Sequence, residues 1–248
     1  MARRGTGLPR FFTFGDRVPP SLGLLLSLML AMSVWGWLDR TGAFRSLAAL
    51  SPEMLLRGQL WRLVSWPFVQ DDPFALLFGG FMLYWLGQQL AFVWSERRFL
   101  LRFFGYAAFA TVGTTILGLL WPPALGLRAY VGIWPVVNAL IVSWALLYPD
   151  RQVNVWGILP ITGRTAAWLV FGGTILYGIA LGGLLGIVAF APHLFALALA
   201  WVLARGGGMR WPWRDARSWW AERDVRRRAR HLKVVKKDGE QDRPRWLN

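Results

Sequence analysis

The sequence predicts an all-α membrane protein, a bundle of six transmembrane helices, and three observations lead to it. Of the 248 residues, 55% are hydrophobic and 17% charged, and the mean hydropathy is +0.38, too apolar for an ordinary soluble domain of this size. The apolar residues fall in blocks, several of them near the roughly 20 residues that a bilayer-spanning helix needs. The net charge of +15 gathers mainly at the two ends of the chain. That distribution suits control of membrane topology better than the reading of a nucleic-acid groove, so no nucleic-acid partner is expected.

The first apolar block runs from Leu22 to Leu38, after a segment 1–21 that carries Arg3, Arg4, Arg10 and Arg17. Ala31 and Ser33 form a small pair of the kind that signal peptidases cut. Trp35 and Trp37 follow as interfacial anchors and favour a retained span. Residues 39–73 are mixed and amphiphilic and read as a structured loop at the interface. Later spans cover Phe74 to Trp94, Phe99 to Leu120 and Tyr130 to Tyr148, punctuated by Ser95-Glu96-Arg97-Arg98, Trp121-Pro122-Pro123 and Pro149-Asp150-Arg151. From Arg164 to Arg205 there is no charge. One helix of that length would measure about 60 Å, twice the hydrocarbon thickness. The block must fold back, and Gly182, Gly183, Gly186 and Pro192 offer the place. The sixth span then runs from about Phe190 to Ala204, and residues 206–248 form a basic tail.

Lys and Arg in the short loops set the orientation. One side collects the N-terminal arginines, Arg97, Arg98, Arg102, Arg151, Arg164 and the tail. From Arg205 onward the tail holds 14 Lys and Arg against six acids. On the other side the loop 39–73 balances four Arg with four acids, and the next loop carries only Arg128. Both termini are therefore expected in the cytoplasm, and the expected location is a bacterial cytoplasmic membrane. Cysteine is absent and there are two histidines, so disulfides, thiolate chemistry and a Cys or His metal cluster drop out. No cofactor or metal is expected.

Residues 58–68 read Gly-Gln-Leu-Trp-Arg-Leu-Val-Ser-Trp-Pro-Phe. Taken alone, Trp61 and Trp66 suit the headgroup boundary, and Arg62 can offer its planar fork to loop carbonyls. The pattern Trp61, Arg62, Ser65 and Phe68 between a first and a second span resembles the rhomboid superfamily, in which a Trp-Arg motif structures this loop. Gly87 and Leu90 are similar to that family's Gly-x-x-Leu-Glu, with Ala91 in place of the Glu. The stretch Ala191 to Ala200 resembles the sixth rhomboid helix. His193 stands at the catalytic histidine there, and Ala196 and Ala200 stand where glycines are expected. The resemblance spans residues 22–205.

Rhomboid proteases carry a nucleophile in Gly-x-Ser-Gly on the fourth helix. Here the corresponding residues are Gly132-Ile133-Trp134-Pro135, and an indole cannot act as a nucleophile. The family's oxyanion support from the second helix falls near Ala75 and Gly79, which have no side-chain donor. Ser143 lies nine residues beyond Trp134, at a different depth from His193. The resemblance thus implies a catalytically inactive, derlin-like pseudoprotease that binds transmembrane clients and influences membrane-protein quality control or trafficking. The rival readings are an active rhomboid serine protease and a small membrane transporter. Gly178, Gly182 and Gly186 on the fifth helix, with Ala196 and Ala200 on the sixth, are expected to allow close helix packing. Expected partners are the bilayer, client helices and, through the basic tail with its Trp211, Trp213, Trp219 and Trp220, anionic lipid headgroups.

Overall fold

A computed structural model describes residues 18–121, 129–155 and 159–205, which belong to one compact unit covering residues 1–205. The tail 206–248 and residues 1–17 of the N-terminal segment lie outside the described residues. In chain order the elements are α1 (Pro20–Leu38), α2 (Ala43–Ala48), α3 (Pro52–Leu56), two 3-10 turns (Leu60–Leu63 and Trp66–Phe68), α4 (Pro73–Trp94), α5 (Glu96–Leu120), α6 (Trp134–Leu147), β1 (Gln152–Val155), β2 (Leu159–Thr162), α7 (Gly163–Ala189) and α8 (Ala191–Arg205).

Proline opens several of these helices. Pro20, Pro52 and Pro73 stand at helix starts, where the missing N–H is no loss. Asp72 caps α4 by accepting from the Ala75 N–H at 2.8 Å, and the Thr162 hydroxyl caps α7 by accepting from the Thr165 N–H at 3.3 Å. Among the described residues four helices are long and apolar enough to cross a membrane: α1, α4, α5 and the stretch Gly163–Gly183 of α7. Two more, Trp134–Leu147 and Ala191–Ala204, are apolar but shorter.

Where α1 is buried, Leu22, Leu25, Met29 and Ser33 form one stripe at helical spacing, while Leu24, Leu30 and Leu38 face outward. The same division holds around the bundle, where Phe92, Leu120 and Leu176 stand exposed on the periphery. Such a rim of large apolar side chains is the expected face toward lipid. Gly87 lets α4 approach α1, since a Cβ there would sit 2.7 Å from Leu22 Cδ1. Gly113 does the same between α5 and α8, where a Cβ would overlap the Phe195 ring.

The centre belongs to α6, which touches α4, α5, α7 and α8. Val136, Val137, Ala139, Leu140, Val142 and Ala145 are all fully enclosed. The sequence places the start of the fourth span at Tyr130, but the helix starts at Trp134. Gly132 adopts a φ of 105°, in the left-handed region, and Tyr130 pairs instead with Leu50 as an isolated antiparallel bridge. At 14 residues α6 measures about 21 Å. Its neighbours shield it, so its length need not match the hydrocarbon thickness.

Between α6 and α7 the sequence suggests a simple charged turn. The structure has an antiparallel hairpin, with Gln152 opposite Thr162 and Val153 opposite Ile161. The charge-free block does fold back. Helical geometry breaks at Gly182 and Gly183, the latter with φ 60°, and the chain returns so closely that a Cβ on Gly186 would overlap the Gly178 carbonyl.

Candidate functional site

The loop between α1 and α4 is organised by one guanidinium. Arg62 is 4% exposed, and its Nη1 donates to the carbonyls of Ser46 at 2.7 Å and Ala49 at 2.5 Å, while Nε donates to Gln59 Oε1 at 2.7 Å. The planar fork thereby ties the end of α2 to the 3-10 turn that carries Arg62 itself. Burial holds this guanidinium below its ordinary pKa. Ser65 Oγ donates to Ala48 O at 2.7 Å and the Trp61 indole to Leu47 O at 3.1 Å. Three successive carbonyls at the close of α2, from Leu47 to Ala49, thus accept from three side chains of one short segment. The last carbonyls of a helix otherwise lack partners, and this segment supplies them.

The two tryptophans of the motif part company. Trp61 is half-exposed at 48%, as an interfacial anchor would be, but Trp66 is fully buried. Its indole N–H reaches Thr111 Oγ1 on α5 at 2.9 Å, and a buried tryptophan needs such a partner. The expected boundary position for Trp66 is therefore corrected. Phe68, 2% exposed, meets the rings of Phe103 and Phe104 on α5 at 5.7 and 6.2 Å.

Past the motif lies a second clamp, centred on Gln70, that the sequence reading missed. Its amide is 1% exposed: Nε2 donates to Pro67 O at 2.8 Å, and Oε1 accepts from Ile133 N at 3.2 Å. Ser33 Oγ on α1 donates to Phe68 O at 3.0 Å and accepts from the Gln70 N–H at 3.1 Å, and the Trp37 indole donates to Gln70 O at 3.0 Å. The Gly132 N–H adds a bond to Trp66 O at 3.1 Å. Loop, first helix and the entry to α6 are thus one hydrogen-bonded unit. A signal existed in the sequence: Gln70 is a lone amide following Phe68 and Val69, just past the motif.

Trp134 is the first residue of α6, half-buried against the core. Gly79 on α4 lies at the same level, because a Cβ there would stand 2.6 Å from Ile133 Cγ2. Ala75 lies one turn nearer the start of α4. His193 is the third residue of α8; its ring is 4.9 Å from that of Phe190, and its Nδ1 is enclosed with no partner among the described residues. Ser143 is occupied, since it donates to Ala139 O at 2.8 Å and its oxygen is 2.7 Å from the Tyr106 hydroxyl. With the proton of Ser143 given to a backbone carbonyl, a phenol is its other neighbour, and a phenol is no base for activating a serine.

Among the small residues, Ala196 and Ala200 are fully enclosed and lie on α8 where it packs against α5 and α6. Gly178 and Gly186 meet each other across the return of the chain, so they pack a hairpin rather than extending one helix stripe. Gly182 lies at the break itself, with open space where a Cβ would stand.

An apolar rim around helices of spanning length, with the buried polar groups of the loop paired inside, defines an integral membrane protein. Over residues 23–205 the chain matches the family described as eukaryotic integral membrane protein, DUF1751, and it belongs to that family. None of the curated proteins matches the chain. The family corrects one expectation: its description is eukaryotic, so the bacterial cytoplasmic membrane is withdrawn as the location. Charge asymmetry between loops orients a chain across a bilayer but carries no information about whose bilayer it is.

Proposed function

We propose that this chain is a rhomboid-like membrane protein without protease activity, a derlin-like pseudoprotease that binds transmembrane helices of client proteins and influences their quality control or trafficking. In this reading α6 and α8 are also spans, giving six, and the two ends of the chain lie on one face of the membrane. The observation that carries it is the combination of an intact Trp-Arg clamp with Trp134 at the head of α6, where a nucleophile would be needed. Gly79 packed on Ile133 supports the reading, because α4 then brings no donor side chain to that point. Ser143, already bonded to Ala139 O and Tyr106, offers no substitute. Client helices would meet the bundle on its apolar periphery, and the basic tail would lie against anionic headgroups.

The test is photo-crosslinking in native membranes from a probe at Leu176, 70% exposed on α7, together with a fluorescent transmembrane substrate. Adducts with single-pass proteins and no hydrolysis are expected. Hydrolysis that disappears in His193→Ala would overturn the reading, as would adducts with lipid alone. Reporter fusions before Leu22 and after Arg205 should give the same side, and opposite sides would refute six spans.

A further inference from the structure

We infer that Arg98 and Arg102, beside Trp94 at the turn between α4 and α5, form a site for the phosphate of an anionic phospholipid. This inference is independent of client binding. The turn is a single residue, Ser95, with φ 70°, so the first two turns of α5 lie directly beside the end of α4. Both helices are long and apolar enough to cross a membrane, which puts the turn at the membrane boundary.

Three arginines, Arg97, Arg98 and Arg102, fall within these two turns. The neighbouring acid, Glu96, is engaged elsewhere: its Oε2 accepts from the Ser21 N–H at the start of α1 at 3.1 Å. The ion pairs among the described residues use Arg45, Arg57 and Arg164, and none uses these three. Arg98 and Arg102 are four residues apart on one face, about 6 Å along the axis, a spacing at which like charges repel unless an anion lies between them.

The guanidinium of Arg102 stacks 3.9 Å over the Trp94 ring, which is itself 5% exposed. Stacking uses the face of the guanidinium and leaves its edge of N–H donors. That edge has no protein acceptor among the described residues, and its nitrogens are not among the enclosed polar atoms, so it opens outward. Arg102 lies six residues into α5, about 9 Å past the helix start, so an acceptor that reaches it comes from the membrane side. A phosphodiester has two free oxygens for such a fork. Three arginines against the one carboxylate of Glu96 leave this turn with an excess of positive charge, so a headgroup with net negative charge is favoured over one that brings its own cation.

The experiment uses the purified full chain in detergent. Its unfolding midpoint is measured with added phosphatidylserine, with phosphatidylcholine at equal mole fraction, and with inorganic phosphate. Phosphatidylserine should raise the midpoint more than the other two, since a ligand held by the native state alone stabilises it. Arg98→Gln, at an exposed side chain that leaves the Trp94 stack intact, should remove most of that increment, and Arg98→Lys should restore part of it. A full increment in Arg98→Gln would assign the effect to other basic residues and overturn the site. Equal shifts from phosphatidylcholine, or from free phosphate, would overturn it as well.

Discussion

Replacing Arg62 by Ala removes three hydrogen bonds, but their costs differ with what each acceptor can find afterwards. Ser46 is an exposed residue and its carbonyl regains water, and the Gln59 side chain can turn outward. The Ala49 carbonyl cannot, since Ala49 is 1% exposed and sits between α2 and the bridge that joins Leu50 to Tyr130. One buried acceptor left unpaired costs about 1–3 kcal/mol. For a chain of this size each kcal/mol lowers an unfolding midpoint by roughly 2–4 °C, so the variant should melt about 2–12 °C below the parent. Arg62→Lys should recover part of the loss, because an ammonium can reach one carbonyl but lacks the fork that meets three acceptors. The assay is thermal unfolding in detergent and again after reconstitution into a bilayer. An unchanged midpoint in both media would refute the claim that this guanidinium holds the loop.

Gln70→Leu should cost a further about 1–3 kcal/mol by leaving the buried Ile133 N–H without an acceptor, read as faster hydrogen exchange at the start of α6; unchanged exchange there would contradict the clamp. Trp134→Ser should yield no protease, since Gly79 and Ala75 add no oxyanion donor, and it should destabilise by about 2 kcal/mol, less than the roughly 3–5 kcal/mol of a fully enclosed aromatic because this indole is half-buried. Cleavage of a membrane substrate by that single variant would sink the argument. Gly186→Ala should destabilise by about 1–3 kcal/mol through overlap with the Gly178 carbonyl, whereas Gly172→Ala, with open space at its Cβ, should be neutral or slightly stabilising. Equal midpoints for these two variants would show that the return of the chain is not packed as described.

The sequence carried the features that depend on blocks and spacing. The apolar runs marked α1, α4 and α5 to within a few residues, and the charge-free stretch was too long to be straight, so glycines had to break it. Motif spacing drew attention to Arg62, whose planar fork between two tryptophans needs acceptors. What composition could not reveal depends on contacts between distant residues. Trp66 has the same interfacial preference as Trp61, and only the position of Thr111, 45 residues later, makes it a buried donor. Gln70 gave no periodic signal, because its partners Ser33 and Ile133 lie 37 and 63 residues away in two other segments. The hairpin at residues 152–162 was hidden because its short strands carry too little pattern to outweigh the turn signals of Pro149 and Asp150.

The short central helix explains why the loop is so heavily bonded. A span near 30 Å is positioned by the lipid on either side of it, through matched thickness and interfacial anchors. At 14 residues and enclosed by four neighbours, α6 has no such guide. Its depth must come from protein contacts: Ser143 meets Tyr106 and the Trp144 indole donates to Gln89 further along the helix, and three more polar contacts hold its head, Ile133 N–H to Gln70, Gly132 N–H to Trp66 O, and Tyr130 paired with Leu50. Each of these last three leads back to the segment that Arg62 ties down. The clamp therefore fixes the level of Trp134 in the bundle. A loop that only covered the helix ends would need neither a buried guanidinium nor a buried amide, each of which costs desolvation unless its bonds are complete.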